Sequence, residues 1–119
     1  MPHITVDYSA HLEDVFDRHA FVQQLHPLVV ETADSTGVCK TFARPAAETY
    51  VGDGQAGRSS FVHVEIGLLP GRDAGLHDRL SEAVLALLDK HLSPGPTARR
   101  VRSVEVRSLA PSYALSVDP

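Results

Sequence analysis

The sequence predicts an α/β (α+β) fold: a duplicated β-α-β chain that forms a four-stranded mixed sheet with two helices on one face. Three observations predict it. Residues 2–8 and 61–69 alternate apolar and polar side chains with period two, the mark of a half-buried strand. Each of these segments is followed by apolar residues at helical spacing and then by a second strand-like run. Finally, Pro-His-Ile-Thr-Val at 2–6 can be laid on Val-His-Val-Glu-Ile at 62–66, an offset of 60 residues. That similarity is weak alone and gains weight because the same element order follows in both halves.

In the first strand Ile4, Val6 and Tyr8 take one side and His3, Thr5 and Asp7 the other. Over residues 12–32, Val15, Phe16, Val22, Leu25, Leu28 and Val29 space like a helix, with a kink or restart expected at Pro27. Gly37 is expected to close it, and residues 38–43 read as a second strand. Val51-Gly52-Asp53-Gly54 carries a turn signal and suits a hairpin tip. In the third strand Val62, Val64, Ile66 and Leu68 alternate against His63, Glu65 and Gly67. Residues 76–92 form the cleanest amphipathic pattern, with Leu76, Leu80, Ala83, Val84, Leu87 and Leu88 on one stripe. Ser93-Pro94-Gly95-Pro96 breaks it, and residues 101–109 read as the last strand, with Val104 and Val106 facing inward.

A helix between two strands implies a parallel, right-handed crossover. Two such units, about 2–60 and 61–119, make one domain. Its helix-free face would carry His3, Thr5, Asp7, His63, Glu65, Ser103, Glu105 and Arg107. That polar face is either solvated or a meeting surface between subunits.

The bulk properties narrow the function. The 119 residues suit a single core, and 43% apolar with 22% charged residues is ordinary for a soluble globular protein. No charged segment precedes an apolar run, so no signal peptide or membrane span is expected, and a cytoplasmic setting fits. Cys39 is the only cysteine, which rules out an internal disulfide and suits a reducing compartment. A formal net charge of −4 argues against nucleic acid as a partner, and Arg99, Arg100 and Arg102 lack interleaved aromatics.

Pro2 is the leading candidate for chemistry. Removal of Met1 would leave a secondary amine at the start of a strand. A free α-amino group titrates at roughly 7.7–8.0, and burial or nearby arginines lower that value. The amine is then a neutral base near pH 7. Alternation puts Pro2 on the side of Ile4 and Val6, the apolar side. The plain alternative is that Pro2 merely starts a strand. His3 and His63 share the polar face but have no third ligand at short spacing, so no metal is expected. Cys39 reads as a small buried side chain, Glu65 points away from Pro2, and Gly52-Asp53-Gly54 is too short for a phosphate loop.

The opening Met-Pro-His-Ile-Thr-Val-Asp-Tyr-Ser, the central Phe61-Val62-His63-Val64-Glu65 and Gly71-Arg72-Asp73 before an amphipathic helix resemble 5-carboxymethyl-2-hydroxymuconate isomerase, of the tautomerase superfamily. The resemblance covers nearly the whole chain, in order. It implies a tautomerase-like fold assembled as a homotrimer, and cofactor-independent isomerisation of a small unsaturated dicarboxylate or keto acid in aromatic catabolism. It makes Pro2 the catalytic base and Arg72 a substrate-binding cation. Arg44, in Ala43-Arg44-Pro45, is the second cation, with Lys40 as a rival; guanidinium geometry favours Arg44. The positions 60 residues away from Pro2 and Arg72 are Val62 and Leu12, so one proline site per chain is expected. Rival readings are a phenylpyruvate-type tautomerase, a hydratase of 3-haloacrylates, and a non-catalytic trimeric binder.

Overall fold

A computed structural model describes residues 2–52, 59–94 and 99–119. The chain runs β1 (His3–Ser9), a short 3-10 turn (Ala10–Leu12), α1 (Arg18–Thr32), β2 (Lys40–Ala46), β3 (Ser59–Leu68), α2 (Ala74–Lys90) and β4 (Arg99–Ser108). The strands lie in the order β2-β1-β3-β4. The outer pairs β1–β2 and β3–β4 are parallel, as the two crossovers require, and the central pair β1–β3 is antiparallel. In the central register Thr5 stands opposite Glu65. These are the residues that the 60-residue offset makes equivalent, so an approximate two-fold axis between them relates the two halves.

Both helices cover the same face. Ile4, Val6 and Tyr8 of β1 and Val62, Val64, Ile66 and Leu68 of β3 form one buried cluster with Phe21, Leu25 and Val29 of α1 and Leu80, Val84 and Leu88 of α2. Burying side chains of this size stabilises by about 1.5–3 kcal/mol each, before the opposing entropy of ordering the chain. On the other face, Arg44 of β2 pairs with Asp7 of β1, Arg107 of β4 with Glu65 of β3, and His63 Nδ1 with Ser103 Oγ at 2.7 Å. The His3 ring meets Phe42 edge-on. This is the polar face that alternation predicts.

Three local expectations are corrected. The first helix begins at Arg18, with Asp17 as its N-cap, and not near Leu12. The preceding residues pair instead with the end of α2. Phe16 bridges Leu92, Asp17 N–H donates to the carbonyl of His91, and Ser93 N–H to that of Val15. Leu12 therefore reaches the core from the 3-10 turn and Phe16 from non-helical backbone, both outside α1. Pro27 sits inside α1 without ending it. The local cost of about 3 kcal/mol is outweighed by the fully buried Leu25 and Val29 on either side. The helix stops at Thr32, with Ala33 as its C-cap, and not at Gly37. Asp34 adopts φ +49°, Ser35 N–H donates to the Val30 carbonyl and Asp34 N–H to that of Glu31, which is a Schellman cap without glycine. The turn expected at Val51-Gly52-Asp53-Gly54 and the break at Ser93-Pro94-Gly95-Pro96 lie partly outside the described residues.

Candidate active site

The sheet has two ends. One gathers the start of β1, the end of β3, the start of β2, the C-terminus of α1 and the N-terminus of α2. Pro2 lies there, buried, and its carbonyl accepts a hydrogen bond from Lys40 N–H at 3.1 Å. That bond extends the β1–β2 ladder by one step and fixes the backbone of Pro2 against β2.

Arg72 reaches the same end by a local device. Gly71 adopts φ +112°, a conformation that L side chains rarely take. Asp73 then caps α2 through Leu76 N–H at 2.7 Å. Between these two constraints the Arg72 side chain is turned toward α1. Its Nε and Nη2 both donate to the Ala33 carbonyl, at 3.0 and 2.8 Å, and Nη1 donates to the Leu69 carbonyl at 3.1 Å. The Ala33 carbonyl is one of the groups that a helix C-terminus leaves without an internal partner. A guanidinium has five N–H donors and these bonds use three. The remaining two have no partner among the described residues, so a rigidly held cation offers two donors for an anion.

Arg44 and Pro2 are not brought together within the chain. Arg44 stands opposite Asp7, well along β2 and on the helix-free face, and binds both carboxylate oxygens at 2.8 and 3.1 Å. The Asp7 carboxylate accordingly holds the Arg44 guanidinium pKa above its usual value. Lys40 is the β2 cation beside Pro2. Its ammonium donates to the Tyr113 hydroxyl at 3.0 Å and lies 5.4 Å from the centre of that ring. Cys39, the neighbouring residue, packs half-buried against the core. Burial raises its thiol pKa, against the lowering effect of a hydrogen bond with Thr41. The thiol stays protonated at neutral pH and is a poor nucleophile.

Sequence reasoning missed two groups on the elements flanking Arg72. Ser35 Oγ, just past α1, and His77 Nε2, in the first turn of α2, are buried without a hydrogen-bond partner among the described residues. Nothing in their spacing marks them, because their burial depends on how the two helices meet. Tyr113 was likewise not singled out, since it follows the last strand in a segment without periodicity.

The opposite end of the sheet holds a cavity of about 280 Å³ lined by Tyr8, Glu13, Phe16, Asp17, Arg18 and His19. Arg18 Nη1 donates to the Tyr8 hydroxyl there at 2.8 Å. Among the described residues no group of three or more His, Cys, Asp or Glu side chains is disposed to hold a metal ion. No described helix is long and apolar enough to cross a membrane.

The family model for 5-carboxymethyl-2-hydroxymuconate isomerase matches residues 2–116. Among curated proteins none matches the chain. Solved structures share the fold at low identity. A 5-carboxymethyl-2-hydroxymuconate isomerase from Deinococcus radiodurans R1 is 20% identical with a TM-score of 0.83, over 99% of this chain and 90% of that one. A 5-carboxymethyl-2-hydroxymuconate delta-isomerase is 22% identical with a TM-score of 0.78, over 99% and 89%. A fused 4-OT protein, solved as a symmetric trimer, is 18% identical with a TM-score of 0.73, over 93% and 89%. These likenesses carry the fold; the match along residues 2–116 carries the family. The chain thus belongs to the 5-carboxymethyl-2-hydroxymuconate isomerase family of the tautomerase superfamily and is an enzyme of the isomerase class.

Proposed function

We propose that the enzyme moves a proton along a small unsaturated di- or tricarboxylate such as 5-carboxymethyl-2-hydroxymuconate, with the Pro2 amine as base once Met1 is removed. The neutral amine takes the proton of the 2-hydroxyl group, and the electron pair released shifts through the conjugated dienol. The resulting prolinium returns a proton to the distal carbon, leaving the α,β-unsaturated ketone isomer and the free amine. No cofactor takes part. The carrying observation is Arg72, tied to two backbone carbonyls with two donors to spare, at the sheet end where Pro2 is buried. Those donors suit a carboxylate and the negative charge that develops on the adjoining oxygen.

For the second cation the geometry favours Lys40 over Arg44. The Lys40 amide is bonded to Pro2, whereas Arg44 is already committed to Asp7 four residues further along the same face of β2. We read the chain as one domain of two units, about 2–60 and 61–119, acting as a cytoplasmic homotrimer. The symmetric trimer of the fused 4-OT relative and the polar helix-free face support that assembly.

The test is intact mass followed by an ultraviolet assay of the same sample with 5-carboxymethyl-2-hydroxymuconate. The reading expects Met1 to be absent, the dienol to convert, and Pro2→Ala to lower kcat by about a hundredfold or more. A cleanly processed protein that leaves this dienol untouched removes the substrate. Turnover of phenylpyruvate or a 3-haloacrylate in its place would then move the enzyme to a neighbouring activity.

A further inference from the structure

Just after β4, residues 109–113 fold back onto the sheet. Leu109 N–H donates to the Leu68 carbonyl at 2.7 Å, and the Leu109 side chain lies over Gly67 on the helix-free face. A Cβ at Gly67 would stand 2.5 Å from Leu109 Cδ2, so the missing side chain makes room for this crossing. A turn follows, closed by Tyr113 N–H donating to the Ala110 carbonyl. Tyr113 then meets Lys40 of β2 through both its hydroxyl and its ring.

Sheet order gives this path its meaning. β4 lies at one edge and β2 at the other, with β3 and β1 between them. Three strand spacings amount to about 14 Å. Tyr113 and Lys40 therefore join across the ends of β3 and β1, and β1 begins beside Pro2. The tail is thus a strap over the helix-free side of that sheet end.

Lys40 is the residue this strap engages. A free lysine ammonium sits on a flexible four-carbon stem and loses rotamer entropy when it is fixed on a ligand. Tyr113 meets that cost before substrate arrives, because an ammonium has three donors and the phenol occupies only one. We propose that Tyr113 is a positioning residue: it holds the Lys40 ammonium at the Pro2 end of the sheet, so that a second carboxylate of the substrate meets a cation already in place. This rests on the reading of Pro2 and Lys40 given above.

The chain has two lysines, Lys40 and the exposed Lys90, and this makes a test without turnover possible. Limited acetylation of folded protein, read by peptide mass, gives the Lys40 to Lys90 labelling ratio. Tyr113→Ala is expected to raise that ratio about tenfold, and Tyr113→Phe, which keeps the ring, to raise it less. An unchanged ratio in a Tyr113→Ala protein with native circular dichroism overturns the proposal.

The kinetic arm asks for a split between parameters. Tyr113→Ala and Lys40→Ala should each raise KM for the substrate about tenfold with kcat nearly kept, and the double variant should be no worse than Lys40→Ala alone. Additive losses would show that Tyr113 acts elsewhere. The two readings fail separately. If Pro2→Ala retains the full rate, the base assignment falls whatever Tyr113 does. If Pro2→Ala is strongly slowed while Tyr113→Ala keeps both the labelling ratio and KM, only the positioning role falls.

Discussion

The two ends of the sheet are equivalent by fold and opposite in chemistry. The approximate two-fold between Thr5 and Glu65 carries Pro2 to Val62 and Arg72 to Leu12. At the far end both of those residues are core: Val62 is 1% exposed and Leu12 4%. Ser9 closes that end by accepting a hydrogen bond from Phe61 N–H at 3.0 Å. At the near end the same frame presents a cyclic residue next to the N-terminus, a clamped guanidinium and a lysine under a strap. The difference teaches that the frame alone gives no site. On the proposed reading the base is an α-amine, and Val62, in mid-chain, has none to offer.

The strongest break in this contrast is to change the secondary amine to a primary one or to block it. Pro2→Ala, or any residue left ahead of Pro2, is expected to lower kcat by about a hundredfold or more in the ultraviolet assay, with the fold intact by circular dichroism. Giving the far end the near end's charge comes next. Leu12→Arg buries a guanidinium with no carbonyl pair prepared for it, and should cost several kcal/mol, read as a lower denaturant midpoint. A tolerated Leu12→Arg would mean that the far end is more open than it stands here. The reverse change, Arg72→Leu, removes the charged bonds to Ala33 and Leu69. It should lower kcat/KM by about tenfold or more with a modest loss of stability.

Finer distinctions separate the two halves of β2 and the neighbours of Pro2. Lys40→Ala should raise KM more than Arg44→Gln, because Arg44 pairs with Asp7 away from the near end. The opposite ranking would return the second cation to Arg44. The smallest effect concerns Cys39, whose thiol pKa is raised by burial. Its contribution to stability is fully present below the ordinary thiol pKa, about 8.5, and is lost as the solution climbs through the raised folded value. Between pH 8 and 10, wild type should therefore lose slightly more stability than Cys39→Ala in parallel thermal melts.

The strands and the shared helical face were legible because they depend on period. Ile4, Val6, Val62, Val64 and Ile66 sit in the core as alternation requires, and the polar face carries the ion pairs of Asp7 and Glu65. Boundaries were legible only where a local signal outranked packing. Asp73 caps α2 close to where the pattern begins, whereas Phe16 was read as helix because tertiary pairing with Leu92 leaves no mark on its neighbours. Pro27 misled for the same reason. In the site, Pro2 could be singled out by its place at the head of a strand, whereas Arg72 and Arg44 came only with the family resemblance. The links that need three dimensions could not: Lys40 to Tyr113, Arg72 to Ala33, and the unpartnered His77 and Ser35.

The sheet's order also bears on what happens before the chain finds company. β2 and β4 pair on one side only within the chain, so each presents a row of backbone donors and acceptors to any extended strand nearby. Such edges invite aggregation, and charge or proline on them discourages it. Here β2 carries Lys40, Arg44 and Pro45, and β4 carries Arg99, Arg100, Arg102 and Arg107. A newly made chain is thereby shielded from indiscriminate strand addition. The shield on β4 is electrostatic and weakens as salt rises, while proline adds a steric stop on β2 that salt leaves in place.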